Sequence, residues 1–353
     1  MWLNIFMTKN NFGRLKKVLV GDFPDHNLMR HTYDAMGNTQ AWILYKKIAD
    51  ESKQDLDNLS TFYKDHGVTV LRPKFDPFVN NRWSKIKFKA PFNTANRFFA
   101  YGDLVFYLTT ADDSEVCYTD FFRSCMEHMH DSGKNVFTNP LTLETSTMQS
   151  YTDSDWPGDE GFGLDGPCFF PVENRIFYNR KHVNTDRGIQ WIQRIIKKFY
   201  PDTEFVDLSD KFINHIDSQI RVFNPSLAAT NGATEFFTDE LGKTYNGIKV
   251  IDVSVYIKNW HEKRAKIFSK QPNAVMEAEW LRAWIDFDDQ NGNPDTGSVS
   301  IDEKTVVEQH NDLDLYKQLE QHGIKVERVP MRHSGFWGSG LCCETAVLER
   351  ESQ

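Results

Sequence analysis

The chain has 353 residues, of which 40% are hydrophobic, 26% charged and 14% aromatic with 27 Phe, a balance that buries a sheet-rich core and excludes a disordered chain. Its formal net charge of -9 argues against a nucleic-acid partner, which needs a basic surface to displace phosphate counterions. No stretch reaches the roughly 20 apolar residues of a membrane span, and the start MWLNIFMTKNNFG has neither the basic leader nor the cleavage site of a secretory signal, so it reads as an ordinary terminus.

In chain order, RLKKVLVGD predicts a first strand by its β-branched content, and residues 40–66 a long helix stopped at Gly67. GVTVLRP and RFFAYGDLVFYLT read as strands, followed by a helix over 118–132. NRIFYNR is the next strand, and a helix over 187–200 follows, with Ile189, Ile192, Ile196 and Phe199 on one face and Pro201 as its stop. QIRVFNPSLAAT, IKVIDVSVYI, LRAWIDF, KTVVEQ, IKVERVP and TAVLERE all read as strands, with a helix over 313–322 ending at Gly323. The Gly-, Asn- and Asp-rich segments 152–167 and 286–298 read as long turns. Strand-strand-helix-strand units recur at irregular intervals without a clean sequence repeat, which predicts one large mixed α and β domain over residues 1–353.

The five cysteines, Cys117, Cys125, Cys168, Cys342 and Cys343, are odd in number and contain no CxxC pair. This favours a reducing, cytoplasmic setting over a disulfide framework or a thiolate zinc site. Phosphate-loop, zinc-helix and serine-elbow motifs are all missing from the sequence, and the neighbouring His128 and His130 read as solvated helix residues. Two segments remain. In MRHSGFWGSGLCCETAVLERE, Gly335, Gly338 and Gly340 flank Phe336 and Trp337, as expected where backbone turns tightly before a strand, with Cys343 at the strand's start. A thiolate there is a strong nucleophile, although free cysteines are more often small buried hydrophobes. In FINHIDSQIRVFNP, an extended backbone would turn His215 and Asp217 to the same face. A histidine paired with a distant thiol is a recurring nucleophilic arrangement.

HSGFWGSGLCCET resembles the C-terminal motif of glycine amidinotransferases and the related dimethylarginine hydrolases and arginine deiminases, and NHIDSQIRVFNP resembles that family's His-x-Asp segment. GRLKKVLVGD, NTANRFFAYGDLVFY, LDGPCFFPVENRIFYNRKHVNTDRGIQWIQR and HGIKVERVPMRH are similar to further family segments in the same order. The resemblance implies an α+β fold, a five-bladed αβ propeller of ββαβ units. It implies Cys343 as nucleophile, His215 as general acid and base, and Asp217, Asn96, Gly340 and Ser339 as substrate contacts. It further implies a small guanidino donor such as arginine, an amine acceptor such as glycine, no metal or organic cofactor, no membrane partner, and compatibility with a homodimer.

Three positions depart from the family pattern. Asn96 replaces a substrate-contacting aspartate, and Thr234 replaces an arginine that holds an amino-acid carboxylate. Cys168 falls where an ungapped match through LDGPC puts the triad acid, leaving Asp165 as the leading substitute, with Glu160 and Asp159 behind it. The expected reaction is amidino transfer through a covalent amidino-cysteine. A guanidino hydrolase and a non-catalytic guanidino-binding homologue are the alternatives.

Overall fold

The computed structural model describes residues 8–23, 39–75, 92–109, 118–140, 163–180, 184–212, 215–269, 278–291, 297–309 and 313–351. Within these, fifteen strands form five three-stranded sheets, each built to one plan. Two antiparallel strands are followed by a helix that returns the chain to a third strand, parallel to the second. The fold is a five-bladed αβ propeller.

Four blades are continuous in sequence. The first has β3 (Phe98–Tyr101), β4 (Leu104–Tyr107), helix α2 (Tyr118–Asp131) and β5 (Asn135–Thr138); the second has β6 (Phe169–Val172), β7 (Arg175–Tyr178), α3 (Asp186–Phe199) and β8 (Glu204–Asp207). The third has β9 (Ile220–Asn224), β10 (Leu227–Thr230), α4 (Thr234–Gly242) and β11 (Lys249–Asp252). The fourth has β12 (Val299–Asp302), β13 (Thr305–Glu308), α7 (Leu313–Gln321) and β14 (Lys325–Arg328). The fifth is assembled from both ends of the chain. In it β15 (Thr345–Arg350) pairs antiparallel with β1 (Leu15–Val20), which leads through α1 (Thr39–Asp65) to β2 (Thr69–Leu71). Two helices, α5 (Ser254–Phe268) and α6 (Ala278–Asn291), are inserted between the third and fourth blades, and a one-turn helix α8 (Ser334–Trp337) precedes β15.

The local chemistry explains most boundaries. The helices predicted from apolar spacing are present within about one residue of each expected end, and Gly67 and Gly323 take φ of 74° and 77°, the left-handed region in which glycine terminates a helix without a Cβ penalty. Helix α3 opens on Thr185, whose hydroxyl accepts the Gly188 N–H, and buries Ile189, Ile192 and Ile196. Phe199, expected on that face, is 40% exposed at the end of the helix and meets the edge of Phe137. His128 and His130 are solvent-exposed on α2, as expected.

One expected strand is a helix, and another is a strand only in its first half, Lys249–Asp252. IKVIDVSVYI leaves the sheet at Asp252, whose carboxylate accepts the Ser254 N–H and so starts α5. LRAWIDF lies wholly in α6, where Trp280, Leu281, Trp284 and Ile285 recur at helical spacing and bury one face. A seven-residue apolar run has no period of its own that separates helix from strand, and packing decided it. The turn expected over 286–298 begins later, because α6 runs through Asn291; residues 152–162 and 292–296 lie outside the described residues.

The largest apolar cluster joins β1, α1, α6 and the segment before β15, with Trp284 fully buried against Trp280, Phe287 and Phe336. Trp284→Ala is expected to cost about 3–5 kcal/mol of stability, the range for removing a large buried aromatic. A lowered denaturation midpoint at unchanged slope in guanidinium unfolding would register it; a loss under about 1 kcal/mol would show that α6 is not part of the core.

Candidate active site

In a ββαβ propeller the first strand of every blade starts beside the central axis, so the turns that enter those strands converge. Here they are residues 94–97 before β3, 163–168 before β6, 215–219 before β9, 297–298 before β12 and 341–344 before β15. Backbone bonds join neighbours around this ring. Ala95 N–H donates to the Cys343 carbonyl at 3.0 Å, Gly166 N–H to the Asn96 carbonyl at 3.1 Å, and Cys342 N–H to the Gly297 carbonyl at 2.9 Å. Thr94, fully buried, has its hydroxyl 2.9 and 3.0 Å from the carbonyls of Leu19 and Glu344 and accepts the Ala346 N–H at 3.0 Å. Gly166 is required at its place, because a Cβ would run into the Ala95 carbonyl oxygen.

Those turns bring five of the sequence-predicted residues together. His215 Nε2 lies 2.8 Å from Asp165 Oδ2, and Asn96 Nδ2 lies 3.4 Å from that same oxygen. The sulfurs of Cys342 and Cys343 and a carboxylate oxygen of Asp217 all lie within 4.8 Å of one another. His215 and Asp217 are not in a strand as the sequence pattern suggested. His215 precedes a single 3-10 turn, Ile216–Ser218, that contains Asp217, so the turn and not an alternating strand aims both inward.

Asp165 fills the place beside the histidine that the ungapped match gave to Cys168. Its backbone N–H donates to Asn184 Oδ1 at 2.8 Å, and Asn184 Nδ2 donates to the Asn179 carbonyl at 2.7 Å, so the backbone that carries the carboxylate is held while His215 meets the carboxylate itself. Cys168 is fully buried; burial, then the Asp165 and Asp217 carboxylates, push its thiol well above the usual range, so it stays neutral. Glu160 and Asp159 lie outside the described residues.

The charges are matched in one direction. Burial works against the imidazolium of His215, but the charge and hydrogen bond of Asp165, then Asp217 and Cys343, outweigh it and raise its pKa to about 10. At neutral pH His215 is therefore a cation held between carboxylates and the Cys343 sulfur. Burial also raises Asp217, opposed by the cations of His215 and Arg221. A buried carboxylate of this kind gains from a cationic ligand that replaces its lost hydration.

The remaining expected residues have structural partners. Gly340 offers its carbonyl to the N–H groups of Cys343 at 2.9 Å and Glu344 at 3.2 Å. Ser339, 1% exposed, donates its hydroxyl to Glu344 Oε1 at 2.8 Å, inside the loop. Thr234 begins α4, its hydroxyl 3.3 Å from that of Thr230. Thr94, Asn184 and Cys342 carry no sequence signal for the site, since backbone contacts of loops leave no periodic trace. Two trios, Asp165 with Cys168 and His215, and Asp217 with Cys342 and Cys343, have metal-donor atoms in reach of one another. Each is one donor short of the four-ligand set of a structural zinc.

No family model matches the chain. Across 97% of its length it is 20% identical to the mitochondrial glycine amidinotransferase of Xenopus laevis and 22% identical to that of Gallus gallus, covering 82% of each. Among solved structures it is similar to the inosamine-phosphate amidinotransferase of Streptomyces griseus, with a TM-score of 0.66 and 16% identity over 99% of this chain and 98% of that one. An amidinotransferase of the saxitoxin biosynthetic pathway from Microseira wollei gives 0.67 and 15% over the same shares. Dimethylarginine dimethylaminohydrolase from Pseudomonas aeruginosa gives 0.53 and 12% over 95% and 99%. These likenesses agree with the five-bladed fold, the pentein arrangement, and the resemblance read from the sequence holds along nearly the whole chain. Among the described residues no helix is long and apolar enough to cross a membrane.

Proposed function

We propose that this chain is an amidinotransferase that moves an amidino group from arginine or a similar small guanidino donor to an amine, with Cys343 as nucleophile and His215 and Asp165 as its acid-base pair. The observation that carries the reading is the 2.8 Å contact of His215 Nε2 with Asp165 Oδ2 in a cluster that also holds Asp217, Asn96 and the Cys343 sulfur. The names of the relatives support it.

The donor's guanidinium would bind the buried Asp217 carboxylate by charge-assisted hydrogen bonds, which sets its planar carbon against the neighbouring sulfur. The Cys343 sulfur, as a thiolate beside the His215 cation, adds to that carbon. His215 then gives its proton to the departing amine, leaving an amidino group on sulfur. The imidazole, now neutral but still oriented by Asp165, takes a proton from the acceptor amine as that amine attacks the carbon and frees the thiolate. Every group required is a side chain of this protein.

Asn96 lacks the charge of the family's aspartate and points its amide at Asp165, and Thr234 cannot form the bidentate contact by which an arginine grips a carboxylate. The reading therefore extends to donors or acceptors that are not α-amino acids. Among the described residues Cys125, Cys168, Cys342 and Cys343 form no disulfide, which supports a reducing compartment, the cytoplasm.

Intact mass measurement after acid quench of the protein mixed with arginine is the direct test. The expected result is an amidino adduct mapped to Cys343 that disappears when an amine acceptor is added. Release without any acceptor, with urea or citrulline as product, would make the chain a hydrolase. Absence of an adduct with every guanidino donor tried, together with no binding by calorimetry, would overturn the enzyme reading.

A further inference from the structure

We propose that Cys342 and Cys343 are an oxidisable pair, a modification site at which hydrogen peroxide converts the nucleophile into a reversible vicinal disulfide. The two sulfurs lie 3.9 Å apart. Cys343 is partly exposed, while Cys342 behind it is 6% exposed and donates its S–H to Asp217 Oδ2 at 3.6 Å. The backbone holds both in place, with Cys342 N–H on the Gly297 carbonyl and Cys343 N–H on the Gly340 carbonyl. Closing the pair from 3.9 Å to the S–S bond length of about 2.0 Å needs rotation of two short side chains and an adjustment of the peptide between them, in the turn that precedes β15.

The reactivities differ in the way a sensing pair requires. A peroxide meets Cys343 first, because that sulfur is accessible and sits in the field of the His215 cation. Its thiolate attacks one peroxide oxygen, the O–O bond breaks, and the second oxygen leaves as water after taking a proton. The product is the Cys343 sulfenic acid. The Cys342 sulfur then attacks the sulfenic sulfur, the S–O bond breaks, and a second water departs with the Cys342 proton. Each cysteine has lost one electron and the peroxide has gained two. Cys168 and Cys125 take no part: both are buried, and burial raises the first well above its usual range and the second to about 12.

Adjacent residues keep their Cα atoms about 3.8 Å apart, below the spacing of about 4.4–6.8 Å that an unstrained disulfide takes. The ring is consequently strained and readily opened by small thiols. Oxidation also removes the S–H that Cys342 donates to Asp217, but the defect it produces is loss of the nucleophile. The inference does not depend on which group the site transfers.

Both cysteines fall in a single tryptic peptide, His333 to Arg350, which contains no other Lys or Arg before its end. The protein is treated with hydrogen peroxide, blocked with iodoacetamide and digested. The expected wild-type peptide is two hydrogen atoms lighter and unalkylated, and recovers two alkylation sites after dithiothreitol. Cys342→Ser is expected instead to accumulate two or three oxygens on Cys343 that dithiothreitol does not remove. Wild-type protein that takes up oxygens on Cys343 with no lighter peptide, or that links Cys343 between two molecules, overturns the proposal, and this arm needs no variant to fold.

Discussion

Substituting alanine for Cys343 will abolish turnover, with a fall in kcat on the order of 10⁴-fold or more, the scale seen when a covalent nucleophile is removed. The side chain is partly exposed in a turn fixed by the bonds of its N–H to Gly340 and of its carbonyl to Ala95, so losing one sulfur leaves the loop's backbone contacts in place. Fold and stability are expected to change little, by circular dichroism and thermal melting. Steady-state product formation from arginine and an amine reads the loss, and the acid-quenched adduct should vanish in parallel. Undiminished turnover in this variant would sink the covalent assignment.

Asp165→Asn carries the second large effect. Asparagine keeps the shape but withdraws the charge that, with its hydrogen bond, does most to hold the His215 cation against burial. The His215 pKa should drop from about 10 toward its ordinary 6.5, and kcat should fall by about 10³–10⁴-fold, the scale for losing the orienting acid of a triad. The pH profile distinguishes this from loose packing: wild type should keep a protonated His215 well above neutrality, whereas the variant should lose it as pH rises through 7. Because the folded pKa of His215 lies above its unfolded value, the pair's contribution to stability is complete below about pH 6.5 and lost as pH rises to about 10. The gap in denaturation midpoint between wild type and variant should close over that window. An imidazole NMR titration unmoved by the substitution would remove Asp165 from its role.

What could be read in advance divides along physical lines. Apolar spacing of 3.6 residues located α1, α2, α3 and α7, because a helix packed on a sheet must repeat its buried stripe. The four-residue strands β5, β6, β8 and β12 escaped; β5 and β8 are half-exposed edge strands held by parallel pairing to β4 and β7, a tertiary cause with no local pattern. Helix α6 was mistaken for a strand since Trp and Ile serve either element. In the candidate site, Cys343, His215 and Asp217 were singled out by motif chemistry and the family resemblance together, and Asp165 only as a substitute for the family acid at Cys168. The contacts that seat Asp165 were not legible, because they turn on where a loop backbone passes Asn184 and Asn96. Neither partner stands near Asp165 in sequence.

The blade assembled from both ends has a consequence for how the protein is made. Strand β1 emerges early but stays without its antiparallel partner until β15 is synthesised, and the Arg350 guanidinium that donates to the Gly13 carbonyl reaches across 337 positions. Closing so long a loop is entropically slow and comes late. Cys343 lies immediately before β15, so the proposed nucleophile comes into register with His215 and Asp165 only when the ring shuts. A ribosome-bound chain lacking β15 would carry four blades and an unassembled candidate centre.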